Sequence, residues 1–224
     1  MIKAVFRIEI ATLLGEDKLI DLRKVGRLAM LCTQIINAGH KVIIVSSGAI
    51  VLGSARQGLS VLPESHTAKQ AAAAVGMAEL IRVYQHAFDE FKQLVAQVLL
   101  INDDFIVPKR RSNATNTLDK LMQHHIIPVI NENDSVSLED IVLGDNYPLA
   151  LNVAKLTGAQ MIVVKPGNEG QYIILNGETG EVTESNEEGV IQATEMYNDA
   201  EVSLPAEKMK YPGSVYDFMT ENQA

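Results

Sequence analysis

The chain is short of several things, and each shortage excludes something. Its 224 residues contain one cysteine, Cys32, and no tryptophan. No intrachain disulfide can form, and a reducing, cytoplasmic location is the expectation. No apolar run approaches the roughly 20 residues of a membrane-spanning helix. Met1-Ile2-Lys3 leads straight into a strand-like segment, so no secretory leader is expected. The P-loop, HExxH, CxxC and GxGxxG patterns are all missing. Positive charge is scarce as well, with 19 Lys+Arg against 28 Asp+Glu and a net charge of −9. That balance argues against a surface for nucleic acid or anionic membrane.

What is present is an ordinary globular composition, 47% hydrophobic and 21% charged. A chain of this length buries a core without metal or disulfide staples. Its charge is unevenly placed. Residues 1–175 hold 17 basic and 17 acidic side chains, whereas 176–224 hold 2 and 11. Two regions follow: a core over 1–175 and a divergent acidic C-terminal segment over 176–224, packed on or extending the same domain.

Within the first region, strand and helix signals alternate. Ala4–Ile10 is a short strand candidate. Asp21 to Ala38 places Leu22, Val25, Leu28, Ala29, Cys32, Ile35 and Ile36 at helical spacing, with Gly39 as a stop. Lys41–Val45 is apolar on both faces, as a buried parallel strand is. It ends in Ser46-Ser47-Gly48-Ala49, a small-residue turn feeding a further helix. An alanine-rich helix from about Ala68 to Phe91 precedes a strand at Val95–Ile101. A helix near Asn116–His125, a strand at Ile126–Ile130, a helix from about Asn146 and a strand at Met161–Lys165 follow. Residues 171–183 read as a hairpin. This order predicts a three-layer α/β/α sandwich with a mostly parallel sheet, whose ligands gather at the carboxyl ends of the strands.

Three polar turns are expected on that rim. Ser46–Ala49 would present hydroxyls and backbone N–H groups at a helix start, although a plain tight turn explains it as well. Asn131-Glu132-Asn133-Asp134 sets four polar side chains directly after an apolar strand, a density that points to function. Gly144-Asp145-Asn146 joins a flexible turn to a possible helix cap. Other features take simpler explanations: Cys32 as core packing, His124-His125 as a helix end, and Lys109-Arg110-Arg111 as a solvated loop run or a partner for the acidic tail.

Taken in order, Lys41–Gly53 (KVIIVSSGAIVLG), Lys69–Gly76 (KQAAAAVG), Val95–Leu100 (VAQVLL), Asn113–Leu118 (NATNTL), Ile127–Asp134 (IPVINEND) and Gly144-Asp145-Asn146 closely resemble the glutamate 5-kinases of the amino acid kinase family. The resemblance covers about residues 1–172. It implies an α/β/α sandwich and transfer of the γ-phosphoryl group of ATP to the side-chain carboxylate of L-glutamate, with magnesium, at the head of proline synthesis. The nucleophile is already ionised, so catalysis rests on positioning and charge neutralisation. By resemblance, Ser47, Gly48 and Ala49 contact glutamate, Asn131 and Asp134 hold its polar ends, and Asp145 and Asn146 complete the pocket. A homo-oligomer is the family's usual assembly.

The phosphate side departs from the family pattern. Arg7-Ile8-Glu9-Ile10-Ala11 stands where a Lys-x-Gly-(Ser/Thr)-Ser loop is usual, so Arg7 takes the place of the phosphate lysine and Glu9 that of a glycine. An acid there repels phosphate by about 4 kcal/mol at 4 Å and an effective dielectric constant near 20. Tyr147 replaces a second aspartate, and Pro166-Gly167 replaces a nucleotide-contacting Thr-Asp. Lys165 and Gly167 are the residues left to meet a nucleotide, with Arg7 and Asp145 in the catalytic positions. No counterpart of the later glycine-rich segment or of an RNA-binding-type accessory domain is expected. The sequence therefore suggests a relative that keeps its small-acid site and has an eroded ATP site, with a binding or regulatory role. An active ATP-dependent kinase and a non-catalytic scaffold are the alternatives.

Overall fold

A computed structural model describes residue 1, residues 3–15, 19–136 and 146–164, and the strands 172–175 and 182–186. The elements are β1 (Lys3–Ile8), α1 (Ile10–Leu13), α2 (Leu22–Asn37), β2 (Lys41–Ser46), α3 (Ala49–Arg56), α4 (His66–Asp89), β3 (Val95–Leu100), α5 (Asp103–Ile106), α6 (Pro108–Gln123), β4 (Ile127–Glu132), α7 (Tyr147–Thr157), β5 (Gln160–Val164), β6 (Tyr172–Leu175) and β7 (Val182–Asn186). They form one sheet in the order β3-β4-β2-β1-β5-β6-β7. The first five strands of that order pair in parallel, and β6 and β7 add an antiparallel hairpin beside β5.

Alternation along the strands sorts the core into two layers. Ala4, Phe6 and Ile8 of β1 pack with Val42 and Ile44 of β2 against α2 and α4. Val5 of β1 with Ile43 and Val45 of β2 turn to the opposite face and meet Leu118, Met122, Leu149, Ala150 and Val153 of α6 and α7. Period-2 side chains on strands buried from both sides produce this sandwich, as the sequence predicts. At its start, α2 is capped by Asp21, whose carboxylate accepts from Arg23 N at 2.9 Å.

Helices α3 and α4 touch backbone to backbone. A Cβ on Gly53 would lie 2.8 Å from Gly76 N and overlap the carbonyl oxygen of Ala72. One on Gly76 would lie 2.6 Å from Gly53 N and overlap the carbonyl oxygen of Ala49. No other residue type fits either position without moving a helix.

Three boundaries differ from the sequence reading. Strand β1 stops at Ile8, because Ile10 turns inward as the first residue of α1. Helix α6 begins at Pro108 rather than near Asn116, so Lys109-Arg110-Arg111 forms its first turn and not a loop. That turn is solvent-exposed and carries no apolar stripe to announce it, and proline is well suited to the first helical position. Asn131 and Glu132 are the last residues of β4, paired with Leu99 and Leu100, and the turn comes after them.

Gly76→Ala should lower stability by about 3 kcal/mol, or Tm by roughly 6–12 °C in a chain of this size. Ala73→Gly on the same helix should cost about 1 kcal/mol from helix propensity, plus the loss of one buried methyl. Thermal unfolding of the two variants checks the ranking, and equal losses would contradict the backbone contact.

Candidate active site

Parallel pairing puts the ends of three strands at one level. Ile8 lies opposite Ser46, and Val45 lies opposite Ile130, so the next residue of β4, Asn131, reaches the same rim. Two loops are then tied together across β1 and β2. Ser47 N donates to Ile8 O at 3.0 Å, and Ile10 N donates to Ser47 Oγ at 3.2 Å. Gly48 follows with φ +113°, where a Cβ would sit 2.6 Å from the Ile10 side chain. Both the backbone conformation and the crowding require glycine here. Ala49 is buried at the start of α3, whose first N–H groups have no acceptor within the helix.

From the other side of the rim comes Asn146. Its Nδ2 donates to Ile8 O and to Val45 O, both at 3.2 Å, and so bridges the ends of the two central strands. Its Oδ1 is buried and without a partner among the described residues. Asn131 is arranged in the opposite sense. Its Oδ1 accepts from Glu132 N at 2.8 Å, and its buried Nδ2 has no partner among the described residues. Asp134 is nearly covered, at 8% exposure, and burial with the nearby Glu132 charge pushes its carboxyl up to about 6.

Arg7 lies 8% exposed on the α6–α7 side of β1. Its guanidinium pairs with Glu9 at 2.6 Å and faces the Tyr147 ring at 5.8 Å, leaving Nε buried without a partner among the described residues. Two of the residues that depart most visibly from the family pattern, Glu9 and Tyr147, thus both contact the third, Arg7. Glu9 does not project alone toward an incoming anion; it is the anion on Arg7.

Six of the sequence-selected side chains, Arg7, Ser47, Ala49, Asn131, Asp134 and Asn146, are thus buried or nearly so around the carboxyl rim, with Gly48 in their midst. Asp145, Lys165 and Gly167 lie outside the described residues. Unsatisfied donors on Arg7 and Asn131, an unsatisfied acceptor on Asn146 and a desolvated acid at Asp134 suit a small ligand carrying both acidic and cationic groups. Among the described residues no cluster of His, Cys, Asp or Glu is placed to hold a metal ion. Cys32 is fully buried, and burial pushes its thiol well above the usual range. Tyr84 escaped the sequence reading. It sits in an alanine-rich helix where an aromatic looks like core, yet its hydroxyl bonds Ser46 Oγ at 2.9 Å.

A model of the amino acid kinase family matches residues 12–166. The glutamate 5-kinase of Clostridium tetani is 40% identical over 168 residues, covering 75% of this chain and 63% of that protein. Its counterpart from Carboxydothermus hydrogenoformans is 42% identical over 153 residues, covering 68% of this chain and 41% of that one. The chain thus spans 63% or less of the length of these two curated relatives. Among solved structures, a Giardia carbamate kinase superposes with a TM-score of 0.51 at 15% identity, covering 73% of this chain and 72% of that one. The UMP kinase from Ureaplasma parvum gives 0.50 at 16% identity, covering 75% and 70%. At such identities the likeness concerns the fold.

Asp134 also sets a pH dependence. Its folded pKa lies above the ordinary carboxylate value, so the folded chain binds the proton more tightly than the unfolded one. Its contribution to stability is therefore least favourable above pH 6 and improves as pH falls from 6 toward 4. Asp134→Asn should raise stability at pH 8 by about 1–2 kcal/mol after allowance for solvent screening, with little change near pH 4. Urea unfolding at both pH values measures this; a variant less stable than wild type at pH 8 would refute it.

Proposed function

Because the chain belongs to the amino acid kinase family, we propose that it is a glutamate 5-kinase-like protein that binds L-glutamate, or a similar small amino acid, and has lost most phosphoryl transfer. The reading rests above all on the Arg7–Glu9 ion pair at 2.6 Å. In the family's reaction ATP supplies the phosphoryl group and magnesium helps to neutralise its charge. The described residues fit those groups poorly. Arg7, at the position of the phosphate lysine, is already neutralised by Glu9 and covered by Tyr147. A polyphosphate must displace a carboxylate from a nearly buried guanidinium before it gains a cation.

The acceptor side supports binding. An ionised Asp134 suits the ammonium of an amino acid, since a cation relieves the charge that burial and Glu132 disfavour. Asn131 Nδ2 is a donor for a carboxylate, and Asn146 Oδ1 is an acceptor for an N–H. Ser47 Oγ accepts from Ile10 N, which leaves its proton to donate. Asp145 takes the remaining acceptor position by resemblance, and Lys165 and Gly167 the nucleotide positions. The second reading is an active ATP-dependent glutamate 5-kinase, favoured by 40% identity to a protein of that name.

Calorimetry with L-glutamate and with ATP–magnesium, each alone, tests the proposal, together with hydroxylamine trapping of any acyl phosphate. Glutamate should bind, ATP should bind weakly, and trapped product should stay near background. Turnover matching that of a working glutamate 5-kinase would establish the second reading instead. Glu9→Gln, which removes the charge on Arg7's partner, should strengthen ATP binding by about tenfold or more, equivalent to about 1.4 kcal/mol. Unchanged ATP affinity in that variant would show that Glu9 is not the obstacle.

A further inference from the structure

Tyr84 lies on α4, outside every polar turn of the rim, yet its side chain is fully buried and ends at Ser46. Ser46 has one proton, and its Oγ donates to Ser47 O at 3.2 Å. The Tyr84 hydroxyl is therefore the donor in its own 2.9 Å contact with Ser46. Burial drives the phenol pKa upward, so this donor keeps its proton throughout the physiological range. The bonds run in one direction: Tyr84 to Ser46 Oγ, and Ser46 to the Ser47 carbonyl. At the other end of Ser47, Ile10 N–H fills an acceptor site of Oγ, which leaves the Ser47 hydroxyl proton to donate elsewhere.

We infer that Tyr84 is a positioning residue for the acceptor pocket, holding Ser47 so that its hydroxyl donates to the side-chain carboxylate of a bound acidic amino acid. This inference rests on the small-acid reading above. The side-chain carboxylate is specified because Ser47 is bonded to Ile10 at the start of α1, next in the chain to Glu9 of the Arg7–Glu9 pair. A carboxylate at Ser47 is thus the one closest to the family's phosphate position. Without the Tyr84 hydroxyl, Ser46 loses its donor and can turn away from the Ser47 carbonyl. Ser47 then keeps only its backbone bond to Ile8 and the Ile10 contact. The pocket would lose a preset donor while retaining Asn131, Asp134 and Asn146.

Tyr84→Phe, Ser46→Ala and the double variant separate positioning from a general loss of structure. Calorimetry should show L-glutamate affinity falling about tenfold in Tyr84→Phe, the scale of one hydrogen bond to a charged group. Affinity for L-glutamine, whose side chain is uncharged, should fall less than about twofold. Ser46→Ala added to Tyr84→Phe should weaken glutamate binding by less than about twofold more, since both act on one chain of bonds. The Tm of Tyr84→Phe should drop by no more than about 4 °C. Equal losses for glutamate and glutamine, fully additive substitutions, or unaltered glutamate binding in Tyr84→Phe would each overturn the role of Tyr84. A wild-type chain that binds no L-glutamate would overturn the small-acid reading and this inference together.

Discussion

The backbone contact between α3 and α4 governs the geometry around the site. Gly53 and Gly76 let two helix axes approach until the carbonyl of one meets the Cα of the other. Any side chain at either position would push α4 outward. Further along α4, at Tyr84, even a shift of about 1 Å would break a hydrogen bond as directional as the one to Ser46. The position of α4 thus sets the end of β2, and the end of β2 sets Ser47 and Gly48. A packing constraint two turns away from the rim is transmitted to it by rigid elements.

Once that side is fixed, Asn146 closes the other. A single side-chain amide donates to a carbonyl at or near the end of each of two neighbouring strands, Ile8 of β1 and Val45 of β2. Ile8 O also accepts from Ser47 N, so the asparagine adds a second bond there and ties β1 to β2 at the open end of the sheet. The same residue keeps one acceptor unfilled, as Asn131 keeps one donor unfilled. Unfilled polar atoms at this density are destabilising in isolation and become useful when a ligand completes them. On the small-acid reading of the site, the rim would give up some stability in the free chain and be arranged in advance for its ligand.

Much of this was legible in the sequence because it depends on patterns that survive without coordinates. Apolar runs at Lys41–Val45 and Val95–Leu100, helical spacing in Asp21–Ala38 and the order of elements predict the parallel sandwich. The clustering of Ser47, Gly48, Asn131 and Asn146 follows from parallel topology, which brings strand ends to one edge. The start of α6 was not legible, since Pro108–Ser112 is exposed and polar and owes its helical state to a local proline and the turn before it. Nor was the Arg7–Glu9 pair. In sequence the two look like a substituted cation and an intruding acid, and only the turn at Ile8–Ile10 brings their side chains together. Tyr84 was invisible for a different reason: a fully buried phenol differs from core phenylalanine by one atom, whose partner is 38 residues away.

The Arg7–Glu9 pair also bears on how a ligand arrives. Neutralised by Glu9 at 2.6 Å, the guanidinium projects almost no monopole field beyond the rim. An anion diffusing nearby is not drawn in by Arg7, and on the small-acid reading an acidic amino acid would find the rim through unguided encounters and reorientation. On that reading association would proceed at the ordinary pace of uncharged partners and respond little to ionic strength, leaving the residence time to set how long the site stays filled.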